Sequence, residues 1–301
     1  MGHDHSHEVK NYNKAFAIGI SLNVVFVIIE GVYGVMADSL ALIADAGHNL
    51  SDVVSLLLAW GAFYLAKKNP SLKRTFGLKK VTILASLVSA ILLLIALGAI
   101  AWEAIERFSQ PKSVDGMIVI VVAGIGVVIN TITALLFMEG QKDDLNIRGA
   151  YLHMAADAGV SLGVVLAGIA IMYTGWLWLD PVISLVIVFV ILIATWGLLR
   201  DSVNLSIDAA PRDVDVSEVK NYLLSLENIT DLHDLHVWAL STTENALTVH
   251  LLSTATQIDN SFIETIQEHL HHTFGINHST IQIENSLGDY ICTLNKDECK
   301  I

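Results

Sequence analysis

Cysteine is nearly missing from this chain: Cys292 and Cys299, both within the last ten residues, are the only two. The six residues between them are too many for a zinc-knuckle spacing. Charge is scarce as well, with 16% of the 301 residues charged against 53% hydrophobic. Of the two signs the basic one is rarer, 17 Lys and Arg against 30 Asp and Glu, for a net charge of −13. The deficit is concentrated late. Residues 208–301 hold 15 Asp and Glu but 4 Lys and Arg, a net of −11. A nucleic-acid surface needs basic patches, so no nucleic-acid partner is expected. An acidic segment that also holds 7 of the 12 histidines suits divalent cations instead.

What the chain has in abundance is long apolar runs. A helix needs about 20 mostly apolar residues to cross ~30 Å of hydrocarbon. Six stretches qualify: 15–37, 41–66, 81–102, 116–138, 149–174 and 177–199. The first is too long for a signal-peptide core and lacks a small-residue cleavage site, so it is read as a retained span. Lys67, Lys68, Lys73, Arg74, Lys79 and Lys80 crowd the link between spans two and three, and Lys142 and Arg148 lie between four and five. Opposite them stand only Arg107 and Lys112. Excess Lys and Arg mark the cytoplasmic side, which puts both termini there. The two cysteines then face a reducing compartment, where a structural disulfide is not expected.

Four regions follow. Residues 1–13 form a tail carrying His3, His5 and His7, for which ion capture, supply of a cytoplasmic site and no role at all stay open. Residues 14–205 hold the six-helix transmembrane domain, 206–290 a soluble cytoplasmic domain, and 291–301 a Cys-containing tail. In the soluble part, 216–229 and 261–275 have helical apolar spacing, the latter ending at Gly275. DLHDLHVWALS, ALTVHLLST and HSTIQIE alternate like strands. The order helix–strand–strand–helix–strand fits a small open sheet backed by two helices. The strand alternation also turns His236 away from His233.

The chemistry lies in two membrane runs. Residues 42–60, LIADAGHNLSDVVSLLLAW, carry His48 and Asp52, and span five carries His153 and Asp157. A separation of four puts each pair on one helix face, about 6 Å apart along the axis. These two histidines are the only ones in the membrane region. The two spans run in opposite directions, and at ~1.5 Å per residue both aspartates fall about 15–20 Å deep. The four groups can therefore converge as an N₂O₂ set, the number and type that tetrahedral Zn²⁺ prefers. The carboxylates would neutralise the ion, and the ion would offset their desolvation. Imidazole disfavours Mg²⁺ and Ca²⁺, and the lack of Cys or clustered Met nearby disfavours Cu(I). Zn²⁺ leads, with Co²⁺, Ni²⁺, Fe²⁺ and Cd²⁺ left open. Asn23, Glu30, Asp38 and Asp45 are further polar residues of the spans, read as pathway or helix-pairing groups, with Asp38 at the outer mouth.

The stretch 22–60, together with RTFG (74–77), HMAADAG (153–159), LDPVISLVI (179–187), LHDLHVWALS (232–241) and HSTIQIE (278–284), resembles the cation diffusion facilitators. The likeness is to their zinc-type branch, the cobalt–zinc–cadmium resistance exporters and zinc transporters. It implies that His48, Asp52, His153 and Asp157 form the transported-ion site. It also implies a homodimer, a ferredoxin-like α+β cytoplasmic domain, and export of zinc in exchange for protons from a bacterial plasma (inner) membrane. His233, His250 and Glu284, with His278 beside them, stand where the family places cytoplasmic metal ligands, which makes zinc both substrate and regulatory ligand. One departure is plain. The link between spans two and three has no Asp or His, and Thr82 replaces a common acidic residue, so no metal is expected there.

Binding of metal requires deprotonated ligands, so proton and metal compete at one site. Alternating access would turn that competition into proton-driven efflux. Two rival readings are an intramembrane zinc metalloenzyme, which would keep an open coordination position, and a metal-gated receptor, which would bind without net transport.

Overall fold

The structure, a computed structural model, describes residues 13–138, 145–255 and 259–285. His3, His5, His7, Cys292 and Cys299 lie outside the described residues. Six long helices come first: α1 (Asn13–Met36), α2 (Leu40–Ala66), α3 (Val81–Ser109), α4 (Gly116–Phe137), α5 (Leu145–Thr174) and α6 (Leu179–Ser206). Five of these, α2 to α6, are long and apolar enough to cross a membrane, and α1 contributes the apolar stretch Ser21–Met36. Their outward residues are apolar rather than polar: Ile28, Val35, Trp60, Ile95, Trp102, Phe189 and Trp196 are all exposed. In water such a surface would aggregate; against acyl chains it is the stable arrangement.

The chain separates into two compact units. The first runs to Leu57 and takes in Ser89–Trp196; the second comprises Leu58–Val88 and the chain from Gly197 onward. In the first, α4 and α5 are the closest-packed helices. Glycine permits this. A Cβ on Gly116 would stand 2.9 Å from the carbonyl oxygen of Gly168, so the helices approach backbone to backbone, as small residues allow in lipid. At the α1–α4 contact, a Cβ on Gly126 would meet the Phe26 ring at 2.6 Å. Phe26, Leu42, Leu97, Val119, Ala123, Val164 and Ile187 form the apolar core.

Several helix ends are fixed by named groups. Asp115 caps α4 by accepting from the amides of Met117 and Ile118. Helix α3 continues past 102, the expected limit of the span, because Glu103 and Arg107 pair one turn apart and extend it to Ser109.

The second unit contains α7 (Val216–Leu224), β1 (Ile229–Ala239), β2 (Asn245–Ser253), α8 (Asn260–Phe274) and β3 (Ile276–Asn285). The sheet order is β1-β2-β3, with β1 and β2 antiparallel and β2 and β3 parallel. This is the expected α+β order. Helix α7 is shorter than its apolar spacing suggests: it stops at Leu224 with Ser225 as its C-cap, and Asn228, at a left-handed φ of 65°, leads the chain into β1. Helix α8 ends at Gly275, left-handed at φ 66°. Val219, Leu223, Leu247, Leu251, Ile266 and Leu270 make the core between helices and sheet. The α2–α3 link packs within this unit. Lys79 pairs with Glu244, Lys80 pairs with Asp208, and the amide of Thr242 donates to Oγ1 of Thr82 at 3.1 Å.

Candidate metal centres

Helices α2 and α5 run antiparallel with their histidine–aspartate turns facing. Nε2 of His153 lies 3.1 Å from Oδ2 of Asp52 and 3.6 Å from Oδ2 of Asp157. Nε2 of His48 lies 3.7 Å from Oδ2 of Asp52 and 3.6 Å from Oδ1 of Asp157. The two rings meet edge-on, 5.9 Å between centroids. Each imidazole nitrogen thus faces both carboxylates, including the one on the other helix. Metal–ligand arms of ~2.05 Å define a tetrahedron with edges of about 3.3 Å, close to the observed nitrogen–oxygen separations. Oδ2 of Asp52 and Oδ2 of Asp157 are buried without a hydrogen-bond donor, a costly state for carboxylates that a cation would relieve.

Exposure across the four is uneven. The side chains of Asp52 and His153 are 36% and 43% exposed, those of His48 and Asp157 19% and 4%. Asp52 and His153 lie toward the C-terminal end of α2 and the start of α5, so the cluster is open on that side. On the other side it is closed by buried polar groups. Oγ of Ser161 donates to Oδ2 of Asp45 at 3.0 Å, and Nδ2 of Asn49 donates to Oε2 of Glu30 at 3.5 Å. Asn23 instead donates to the sulfur of Met154 at 3.4 Å. Asp38, its side chain 46% exposed, pairs with Arg107 at 2.7 Å.

A second cluster forms on the sheet. His233 and His250 are directly opposed on β1 and β2, their rings 5.0 Å apart. Glu284 on β3 reaches both: Oε1 lies 3.0 Å from Nδ1 of His250, and Oε2 lies 3.7 Å from Nε2 of His233. All three side chains are mostly buried, and Nε2 of His233 has no hydrogen-bond partner. The structure does not bring His278 to this cluster; its ring meets that of Phe76 edge-on, 5.4 Å away.

Sequence reasoning missed Asp234. The β1 register slips between His233 and His236, and Asp234 adopts a left-handed φ of 52° there. Its carboxylate lies 3.6 Å from Nε2 of His250 and 2.9 Å from Nε2 of His236. The bulge therefore links His236 to the cluster through Asp234, which simple strand alternation does not foresee. Arg107 and Asp180, buried in the first unit, were also missed, since neither resembles a ligand.

Residues 16–205 match the family model for the cation efflux transmembrane domain, and 211–286 that for the cation efflux protein cytoplasmic domain. The chain belongs to the cation efflux family, the cation diffusion facilitators. It is 36% identical over 299 residues to the cadmium, cobalt and zinc/H(+)-K(+) antiporter of Bacillus velezensis, covering 98% of this chain and 95% of that protein. It is 38% identical to the cation efflux system protein CzcD of Alcaligenes sp., covering 94% and 90%. It is 34% identical to the zinc transporter ZitB of Escherichia coli, covering 94% and 93%. This cation efflux protein is accordingly a polytopic membrane transporter for metal cations and not an enzyme.

Proposed function

We propose that this cation efflux protein is a zinc/proton antiporter that moves Zn²⁺ out of the cytoplasm through His48, Asp52, His153 and Asp157. One observation carries the reading: on helices running in opposite directions, Nε2 of each imidazole lies 3.1–3.7 Å from a carboxylate oxygen of both Asp52 and Asp157. His48, His153 and Asp157 offer ligand atoms within 4.8 Å of one another, and Asp52 stands beside His153 as the fourth donor, a donor set suited to a tetrahedral dication. The names of the relatives, which include zinc and H(+), support both the cargo and the counter-ion. The distribution of basic links supports cytoplasmic termini, and the bacterial relatives support an inner-membrane location.

The cycle follows from ligand chemistry. The site takes zinc from the cytoplasm and releases protons, because bound imidazole and carboxylate must be deprotonated. The helices then expose the site to the other side. Histidine titrates near neutrality, so protons from outside displace the ion, and the protonated site returns. His233, His250 and Glu284 form a separate cytoplasmic site in which zinc acts as a regulatory ligand. The protein works as a homodimer.

The test is flux of ⁶⁵Zn²⁺ into proteoliposomes under an imposed pH gradient, repeated across divalent ions. Zinc uptake coupled to proton movement is expected, and D157A should abolish both. Undiminished flux in D157A removes the site assignment; flux indifferent to the gradient removes the antiport.

A further inference from the structure

At one end of the first unit a buried charge cluster ties four segments together without touching the ion ligands. Arg107, near the end of α3, is 5% exposed and meets three carboxylates. They are Asp38 at 2.7 Å, Glu103 at 3.3 Å and Asp180 at 3.4 Å. Nη1 also donates to the backbone carbonyl of Asp38, which holds that residue in a left-handed conformation at φ 51°. Asp180, in the first turn of α6 and 1% exposed, accepts from three groups of the α2 start. These are Oγ of Ser39 at 2.6 Å, the Leu40 amide at 2.9 Å and the Ala41 amide at 3.2 Å. The Asp115 amide, from the α3–α4 link, donates to the carbonyl of Ala37 at 3.1 Å.

A helix start does not need this much. Ser39 already caps α2, accepting from the Leu42 amide at 3.3 Å. Burying a guanidinium and a carboxylate in addition brings little net stability, and the best-attested use of such pairs is to fix a register or a switch. The Arg107–Asp180 and Arg107–Glu103 contacts, at 3.4 and 3.3 Å, are both longer than the 2.7 Å contact with Asp38. Parting the Arg107–Asp180 contact leaves Asp180 with three donors from Ser39, Leu40 and Ala41, and leaves Arg107 with Asp38 and Glu103, so neither charge is stranded. The cluster sits at the α1–α2 turn, toward which the ligand set is closed, while Asp52 and His153 are open toward the other end.

We propose that Arg107 and Asp180 form the outer latch of the transporter. The latch closes α3 against α6 at the α1–α2 turn while the ligands face the cytoplasm, and its Arg107–Asp180 seam parts when the site turns outward, each helix keeping its own hold on that turn. Asp180 is then a positioning residue for His48 and Asp52, acting through the helix that bears them. The inference rests on the orientation and ligand assignment proposed above.

The experiment uses the full chain with C292S and C299S and a single reporter thiol, V164C. Val164 is fully buried in the apolar core and lies two turns beyond Asp157 on the closed side. In proteoliposomes of known orientation, the rate of modification by a membrane-impermeant methanethiosulfonate is measured separately from each face. R107Q and D180N should raise the outer-face rate at least tenfold and leave the inner-face rate unchanged, while kcat for zinc falls and KM stays nearly constant. R107K, which keeps the charge but loses the forked donor geometry, should fall between. Equal gains on both faces would mean general loosening and overturn the latch, as would an unchanged outer-face rate. If R107Q and D180N do not fold, the R107K rates decide by the same criteria. Labelling needs no metal, so its outcome stands apart from the ligand assignment, which D157A flux tests by itself.

Discussion

Nε2 of His153 on α5 lies closer to Asp52 of α2, at 3.1 Å, than to Asp157 one turn along its own helix, at 3.6 Å. The histidine–aspartate repeats are therefore not two separate clamps. Each histidine bridges to the carboxylate of the other helix, so a single ion joined by all four would also join the helices.

That interleaving predicts non-additive ligand loss. In full-length protein, D52A or H153A should each lower zinc affinity at the membrane site by tenfold or more, about 1.4 kcal/mol or above. The double variant should be little worse than either single one, because the remaining pair no longer makes a four-coordinate set. Isothermal titration of each variant against the parent checks this, and a double variant equal to the product of the two single effects would contradict it.

The cytoplasmic cluster predicts a different count. H250A removes the group that faces both Glu284 and Asp234, so the number of zinc ions bound per chain should fall while D157A still removes its own ion. H278A should leave the count unchanged, since that ring packs on Phe76. Equilibrium dialysis with metal analysis reads both.

The glycine contacts give a packing prediction. G116A and G126A place a Cβ within 2.9 Å of a carbonyl and 2.6 Å of an aromatic carbon, respectively. Each should destabilise the protein by about 1–3 kcal/mol. At Gly124 and Gly163 the same methyl meets nothing within 4 Å, so alanine there should leave thermal stability in detergent nearly unchanged. A reversed ranking in thermal melts would refute the helix crossings described.

A pH effect is expected at α8. Hydrogen bonds from the side chain and amide of Ser261 hold the Asp259 carboxyl below its usual range. A depressed folded-state value stabilises the helix start above the ordinary Asp pKa of about 3.9 and is lost as pH falls through the folded-state value. Amide protection in the first turn of α8, taken relative to the intrinsic exchange rate at each pH, should fall on acidification in the parent. D259A should show low protection throughout and no such pH step.

Much of this was legible from the chain because local period suffices for it. His48 with Asp52, and His153 with Asp157, share a face by helical spacing alone, and Gly275 marks the end of α8 because only a residue tolerant of positive φ fits there. The failures involve long-range or irregular geometry. Arg107 and Asp180 stand 73 positions apart on different helices, and no period in either helix announces the contact. Asp234 depends on a register slip in β1, and strand alternation presumes that no such slip exists. His278 matched a family position, yet the strand carries it to Phe76 instead.

The bulge at Asp234 has an effect on the ring beside it. His250 offers Nδ1 to Glu284 and Nε2 to Asp234, and a neutral imidazole carries a single hydrogen for the two nitrogens. A cation drawn to the Nδ1 side would send that hydrogen to Nε2, toward Asp234 and so toward His236 on the surface. Occupancy of the inner face of the sheet would then be legible from outside as the tautomer of one ring.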